Sequence, residues 1–354
     1  MKDSRKVIAC GTPYQQGIAQ GEAFRALIQH NIQTVRTDLE NSHLDIDRYQ
    51  QLTVRNAAFL QKDQPQQWEE MQGIAAGAQV SFDDILLINV PTYFLKSACG
   101  QECSMLLVRG AATADGLTYL AKNRDMGMQM EQVTVEYRYP DKTSICEVGG
   151  AGIVTYPALG VNSAGLTVTS TGFWSPKVEM HLDDVDNRHI FVNLHHVLQS
   201  CNTTNDVLDF LDHYPRMNGL NLIAADENSA VLVETTRDEY LVQWADESGI
   251  LYRTNHYMLG EHQELNKEFE EYPSTFLRYE RIGTMVSQAK RKFRFQDILR
   301  ILSDHENSPI NGICRHANEL APARTVSCSI CCLEDRELFN TPGNPCEHMV
   351  AVAL

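Results

Sequence analysis

The 354 residues are 43% hydrophobic and 21% charged, with 21 glycines and 12 prolines, so they can fill a large core and show no collagen-like or low-complexity bias. Forty-six acidic residues against 30 basic ones leave a formal charge of −16, which repels phosphate backbones and anionic lipid headgroups alike and argues against nucleic acid or a membrane surface as partner. No apolar run reaches the roughly 18 residues of a membrane span, and the opening MKDSRKVIACGTPYQQG lacks the apolar stretch of a secretory signal, so a cytoplasmic location is expected.

The first hundred residues read mostly as helix. In 17–40, Ile18, Phe24, Ala26, Leu27, Ile28, Ile32 and Val35 recur close to every 3.6 residues. A second helical stretch runs over about 47–60, a third follows Pro65 over 66–80, and Ser81 with Asp83 and Asp84 forms a cap signal before the apolar run that ends at Val90. Near residues 99–103, after a turn-like Cys99-Gly100-Gln101-Glu102, the period changes to two. CSMLLVRG (103–110), LTYLAKNRDM (117–126), VTVEYRYP (133–140), SICEVGG (144–150) and GIVTYPALGV (152–161) are rich in β-branched and aromatic residues. Turn signals separate them at Asp115-Gly116, Pro140-Asp141 and Gly149-Gly150, with Asn162 to Gly165 closing the series. They predict antiparallel strands joined by hairpins. A helical stretch over about 189–213 comes next, then strands over 220–256, helices over 274–302 and two or three closing strands in the tail. Helical layers between runs of antiparallel strands favour an α+β sandwich over a doubly wound parallel sheet.

The ten cysteines are scattered, which suits buried free thiols better than a disulfide framework. CSICC at 328–332 has a CxxC spacing with no second CxxC or HxxxH nearby and reads as a strand, not as a zinc site. His195-His196 lies in a helical pattern without a third ligand one turn on, so no metal is expected there. Cys103 stands apart. A hairpin through Thr113 to Gly116 would return Lys122, Asn123, Arg124 and Asp125 toward it, and a thiol flanked by a cation and a carboxylate can be ionised and held as a nucleophile.

The run CSMLLVRGAATADGLTYLAKNRDM (103–126) resembles the start of the catalytic chain in the acyl-coenzyme A:6-aminopenicillanic acid acyltransferase-like family, N-terminal nucleophile hydrolases related to the choloylglycine hydrolases. The shared pattern is Cys103, then Asp115-Gly116, then Asn123-x-Asp125. GTPYQQGIAQGEA (11–23), GVNSAGLTVTSTG (160–172), YRTNHY (252–257), STFLRYERI (274–282), ICRH (313–316) and FNTPGNPCEH (339–348) resemble further family elements in the family's order.

The resemblance implies a four-layer αββα sandwich with a mostly helical N-terminal segment. It further implies self-cleavage at the Glu102–Cys103 bond, giving residues 1–102 as a propeptide or small subunit and 103–354 as the catalytic chain, two self-derived partners that stay together and are compatible with a homo-oligomer. Cys103 would be the nucleophile and its freed α-amine the base. Asp125 would hold that amine, and the side-chain amide of Asn255 would face the oxyanion. Lys122 stands where choloylglycine hydrolases carry an arginine, and Arg315 is a candidate second basic group near the thiol. The implied substrates are small-molecule acyl amides or acyl thioesters, with hydrolysis of N-acyl amino acids, peptides or amines as the narrower alternative. A precursor-like scaffold that never cleaves is the other, since Glu102 replaces a small residue. No metal or redox cofactor is implied. Thr171 and Gly172 stand where choloylglycine hydrolases carry a further asparagine, a departure that disfavours bile-salt hydrolysis.

Overall fold

The structure, a computed structural model, describes residues 5–42, 45–92, 102–140, 144–172, 182–269, 273–319 and 323–348. Cys99 and the rest of the turn expected at 99–101 lie outside them, as does the tail from 349 onward.

A short strand, β1 (Lys6–Cys10), precedes five helices, α1 (Pro13–Ala23), α2 (Arg25–Asn41), α3 (Ile46–Asp63), α4 (Pro65–Ala78) and α5 (Phe82–Asn89). β1 is an addition to the mostly helical expectation; its five residues are too few for an apolar period to register. The single helix expected over 17–40 is two, because Phe24 leaves helical dihedrals (φ −119°, ψ 24°) while burying its ring. α1 opens on a capping box, in which the Thr12 hydroxyl accepts from the Gln15 N–H and the Gln15 side chain accepts from the Thr12 N–H. Ser81 caps α5 as its sequence indicates. α1 and α4 touch backbone to backbone through Gly17, Gly21, Gly73 and Gly77. A Cβ on Gly17 would lie 2.0 Å from the Glu70 carbonyl oxygen, and one on Gly73 2.1 Å from that of Tyr14.

Two sheets follow. The larger is ordered β1, β4 (Gln132–Arg138), β5 (Ile145–Gly150), β6 (Leu159–Asn162), β7 (Thr167–Gly172), β8 (Leu220–Ala225), β9 (Ala230–Thr235) and β10 (Tyr240–Trp244). Its pairs are antiparallel except that of β1 with β4. The smaller sheet is ordered β11 (Ile250–Arg253), β2 (Ser104–Val108), β3 (Tyr119–Met126), β12 (Arg324–Cys332) and β13 (Glu337–Pro342), antiparallel throughout. Of the run expected as a strand at 152–161, only the end pairs. The Thr155 and Tyr156 hydroxyls instead donate to the carbonyls of Asn89 (2.9 Å) and Ile88 (2.7 Å), closing the C-terminus of α5. The helical stretch at 189–213 is two short helices, α6 (Leu194–Ser200) and α7 (Thr204–His213), each started by its own cap, Asn193 and Thr203.

Three clusters of buried side chains define the layers. α1 to α7 cover the outer face of the larger sheet. Met105, Leu107, Leu120 and Cys331 of the smaller sheet meet Leu159, Val161, Ile223 and Leu232 of the larger. α8 (Ser274–Ser287) and α9 (Phe295–Leu302) cover the outer face of the smaller sheet through Ile282, Ile298 and Leu302. The order is helices, sheet, sheet, helices, the αββα sandwich. After β13 comes a short helix, α10 (Pro345–His348); of the two or three closing strands expected, β12 and β13 are present, and the end of the tail lies outside the described residues.

Candidate active site

β3 runs through the middle of the smaller sheet with all eight residues buried, yet its second half reads Lys122-Asn123-Arg124-Asp125. Four consecutive polar side chains in a central strand each need a partner, because a buried polar group without one costs ~1–3 kcal/mol. The alternation of a strand divides them between two faces. Lys122 and Arg124 point into the space between the sheets, where the Lys122 ammonium donates to the Ser170 carbonyl of β7. Arg124 donates to Gln132 Oε1 at 3.3 Å and lies 5.5 Å from the Tyr156 ring centroid. Asn123 and Asp125 point to the helical side. The Asn123 amide donates to the carbonyls of Leu302 (2.7 Å) and Ile313 (3.0 Å), fastening the end of α9 and the segment that leads to Arg315.

Cys103 directly precedes β2 and is 3% exposed. The β2–β3 register sets Ser104 opposite Asn123, and the Glu102 N–H donates to the Asp125 carbonyl at 3.2 Å, so the pairing continues past the nucleophile candidate. By alternation with Met105 and Leu107, the Cys103 thiol faces the space between the sheets, on the side of Lys122 and Arg124. Burial lowers the Lys122 pKa to about 8, and the nearby Cys103 thiol opposes that shift.

The main-chain atoms of Cys103 are gripped. Its N–H donates to Asn255 Oδ1 at 2.8 Å, and its carbonyl accepts from Arg278 Nη1 at 2.6 Å. Asn255 is itself anchored, since its N–H donates to the Thr275 hydroxyl at 2.8 Å and its Nδ2 to the Gly172 carbonyl at 2.9 Å. Thr171 and Asn221 brace the same segment by donating to the Thr254 carbonyl. Thr171 therefore works on the segment after β11 that carries Asn255. His256 beside it is kept neutral at ordinary pH, its pKa lowered to about 3 by burial and by Arg253 and Arg278.

Asp125 is fully buried. Its Oδ1 accepts from the Thr325 hydroxyl at 2.6 Å, while its Oδ2 has no hydrogen-bond partner among the described residues. Burial raises its pKa to about 7 despite Arg278 and Arg315 nearby. Glu102 is the other carboxylate of the pair: burial works to raise its pKa, but Arg278 and Arg315 outweigh it and hold the carboxyl below its usual range. Arg315 pairs directly with Glu102 Oε2 and donates to the Ser274 hydroxyl at 3.2 Å. Two arginines thus face two carboxylates beneath the Glu102–Cys103 bond.

The sequence reading named Cys103, Asp125, Asn255, Lys122, Arg315 and Glu102. All six lie around the head of β2, with Arg315 reaching Glu102 on the face opposite the thiol. It missed Arg278, fully buried, which also donates to Ser104 Oγ (3.0 Å), Asn255 Oδ1 (3.1 Å), Ser274 Oγ (3.3 Å) and Glu102 Oε2 (3.3 Å). The available signal was Ser274-x-x-x-Arg278, one helical turn apart on a single face of α8. Thr325 was missed as well, and nothing local in RTVSCSICC distinguishes it.

A family model described as acyl-coenzyme A:6-aminopenicillanic acid acyl-transferase matches residues 112–345, a span that holds Lys122, Asp125, Asn255, Arg278 and Arg315 and begins beyond Cys103. Among solved structures, the chain is similar to penicillin V acylase from Agrobacterium tumefaciens, with a TM-score of 0.42 and 11% identity over 68% of this chain and 82% of that one.

Proposed function

The chain belongs to the acyl-coenzyme A:6-aminopenicillanic acid acyl-transferase family and is an enzyme of the acyltransferase or amidohydrolase type, and on that premise we propose a self-processing cysteine enzyme whose nucleophile is Cys103. One observation carries the proposal. The Cys103 nitrogen is held by Asn255 Oδ1, and a buried carboxylate, Asp125, with one oxygen unpartnered among the described residues, lies one strand away.

In the first step the Cys103 sulfur attacks the Glu102 carbonyl carbon. The C–S bond forms, the C–N bond breaks, and the thiol proton ends on the departing Cys103 nitrogen. Water then hydrolyses the thioester, releasing the Glu102 carboxyl and restoring the thiol. The freed α-amine, with an ordinary pKa of about 8, can take the thiol proton in later cycles without a histidine. Asn255 Oδ1 keeps its hold on that nitrogen, and Asp125 Oδ2 offers it a second acceptor. Lys122 supplies positive charge on the thiol's side, which favours thiolate.

On substrate, the thiolate adds to an acyl amide or thioester carbonyl, expels the amine or thiol, and passes the acyl group to water or to an amine. Asn255 Nδ2 carries two hydrogens and gives one to the Gly172 carbonyl, and acting as oxyanion donor means turning a hydrogen of this amide to the oxyanion; losing one such donor generally raises a barrier by about 3 kcal/mol.

A second reading has its own support. Glu102 is tied to Arg278, Arg315 and Ser274, and such a clamp would also suit a chain that keeps its 102–103 bond. Intact mass and N-terminal sequencing of the wild type beside Cys103→Ala decide between them. Two chains, the second starting at Cys103, with an uncut variant, support processing; an uncut wild type that forms no acyl adduct with a thioester donor sinks it. Competing an amine against water for the acyl group separates transferase from hydrolase.

A further inference from the structure

Away from the nucleophile, four side chains from three separate segments aim their Lewis-basic atoms at one point. His305 comes from the turn after α9, Cys314 and His316 from the segment on either side of Arg315, and Cys346 from α10. The ligating atoms all lie within 4.8 Å of one another. The Sγ atoms of Cys314 and Cys346 are 3.6 Å apart, and the Nε2 atoms of His305 and His316 are 3.2 Å apart. His316 Nε2 is 3.9 Å from the Cys314 sulfur and 3.3 Å from that of Cys346.

We propose that these four residues bind a structural zinc ion. Bond lengths of about 2.3 Å to sulfur and 2.0–2.1 Å to nitrogen, at tetrahedral angles, require edges of about 3.8 Å between sulfurs, 3.3 Å between nitrogens and 3.6 Å between sulfur and nitrogen. The four distances above fall on either side of these values by a few tenths of an ångström. Two thiolates and two imidazoles with no open position form a closed zinc set, and thiolate disfavours magnesium, calcium and manganese.

The surroundings are those of a built site. On its far side His316 Nδ1 lies 3.4 Å from the Glu347 carboxylate, the outer partner that orients a metal-bound imidazole. Asn344 Nδ2 donates to the Cys314 sulfur at 3.3 Å and to the Arg315 carbonyl at 2.5 Å, while the Cys314 N–H donates to the Asp304 carbonyl at 3.0 Å. The ion would therefore fix the backbone on both sides of Arg315, making all four ligands positioning residues for its guanidinium. Neither CxxC nor HxxxH spacing occurs here, and for that reason the sequence reading did not single out these four residues as metal ligands.

The test is metal analysis of the full-length chain, purified without a histidine tag or chelator, followed by removal of metal and titration with cobalt(II). One zinc per chain is expected, and cobalt should give the intense visible bands of a tetrahedral two-thiolate site. His305→Gln, at an exposed position that leaves the core untouched, and Cys346→Ser should each lower cobalt affinity at least tenfold, with Glu347→Gln showing a smaller loss. A chain with no zinc that takes up no cobalt overturns the proposal. So does a Cys314–Cys346 disulfide found by peptide mapping, or zinc retained undiminished in both ligand variants.

Discussion

Arg278 joins the Cys103 carbonyl, the Asn255 side chain that holds the Cys103 nitrogen, and the Glu102 carboxylate. Replacing it with methionine keeps most of the volume and removes five donor contacts and one charge. Breaking a buried pair by deleting one partner typically costs about 3–5 kcal/mol. Here Glu102 would keep Arg315 and Ser274, so the loss should fall at the lower end of that range, about 3 kcal/mol. Arg278→Lys keeps the charge but offers three donors to five acceptors, stranding at least two and costing about 2 kcal/mol at ~1 kcal/mol each. The measurement is equilibrium urea denaturation in a Cys103→Ala background, with coincident near- and far-ultraviolet transitions as the check on two-state behaviour. Glu102→Gln, combined with Arg278→Met, should show a coupling of about 1–3 kcal/mol between the two sites. Losses under ~1 kcal/mol for both single variants, with no coupling, would refute the account of Arg278 as the keystone of the cluster.

Asp125 carries a pH signature. Its pKa is raised by burial to about 7, so the folded chain binds a proton that the unfolded chain, titrating near ~4, has released. Stability therefore falls as pH rises from ~4 to about 7. Asp125→Asn should flatten the part of that fall due to this group, leaving the share from Glu70, which burial likewise raises to about 7; a wild-type minus variant curve without slope in that window contradicts the assignment. Lys122→Met should slow alkylation of Cys103 by iodoacetamide severalfold near neutral pH, because it removes the positive charge on the thiol's side that favours the reacting thiolate; an unchanged rate would place Lys122 outside the thiol's environment. Gly73→Ala forces α1 and α4 apart and should cost about 1–3 kcal/mol in thermal or urea unfolding, while a neutral result would mean that the helices do not meet through backbone.

Most elements were legible because they depend on periodicity and turn chemistry, which are local, whereas the αββα layer order was implied by the family resemblance. The Ser81 cap, the change of period near Cys103 and the hairpin that returns Asp125 to the head of β2 all follow from neighbouring residues. What failed depended on distant partners. β1 exists because β4 receives it, and residues 152–158 leave the sheet because α5 needs its carbonyls closed. At the site, Cys103 and Asp125 share a hairpin, but the burial of Arg278 is set by contacts on β2, on the segment holding Asn255 and at Glu102, none near it in sequence. Thr325 acquires its role only through the β3–β12 register. The four proposed zinc ligands were invisible for the same reason: Cys346 is 30 residues from His316.

The separation between Cys103 and the groups that grip it also governs when it can act. Asn255 lies 152 positions downstream and Arg315, the partner of Glu102, 213 positions beyond that glutamate. A nascent chain leaving the ribosome exposes its thiol long before either has been translated. The grip on Cys103 can therefore close only after residue 315 has been made and folded against β2, so shorter nascent chains lack the arrangement on which the proposed self-processing draws.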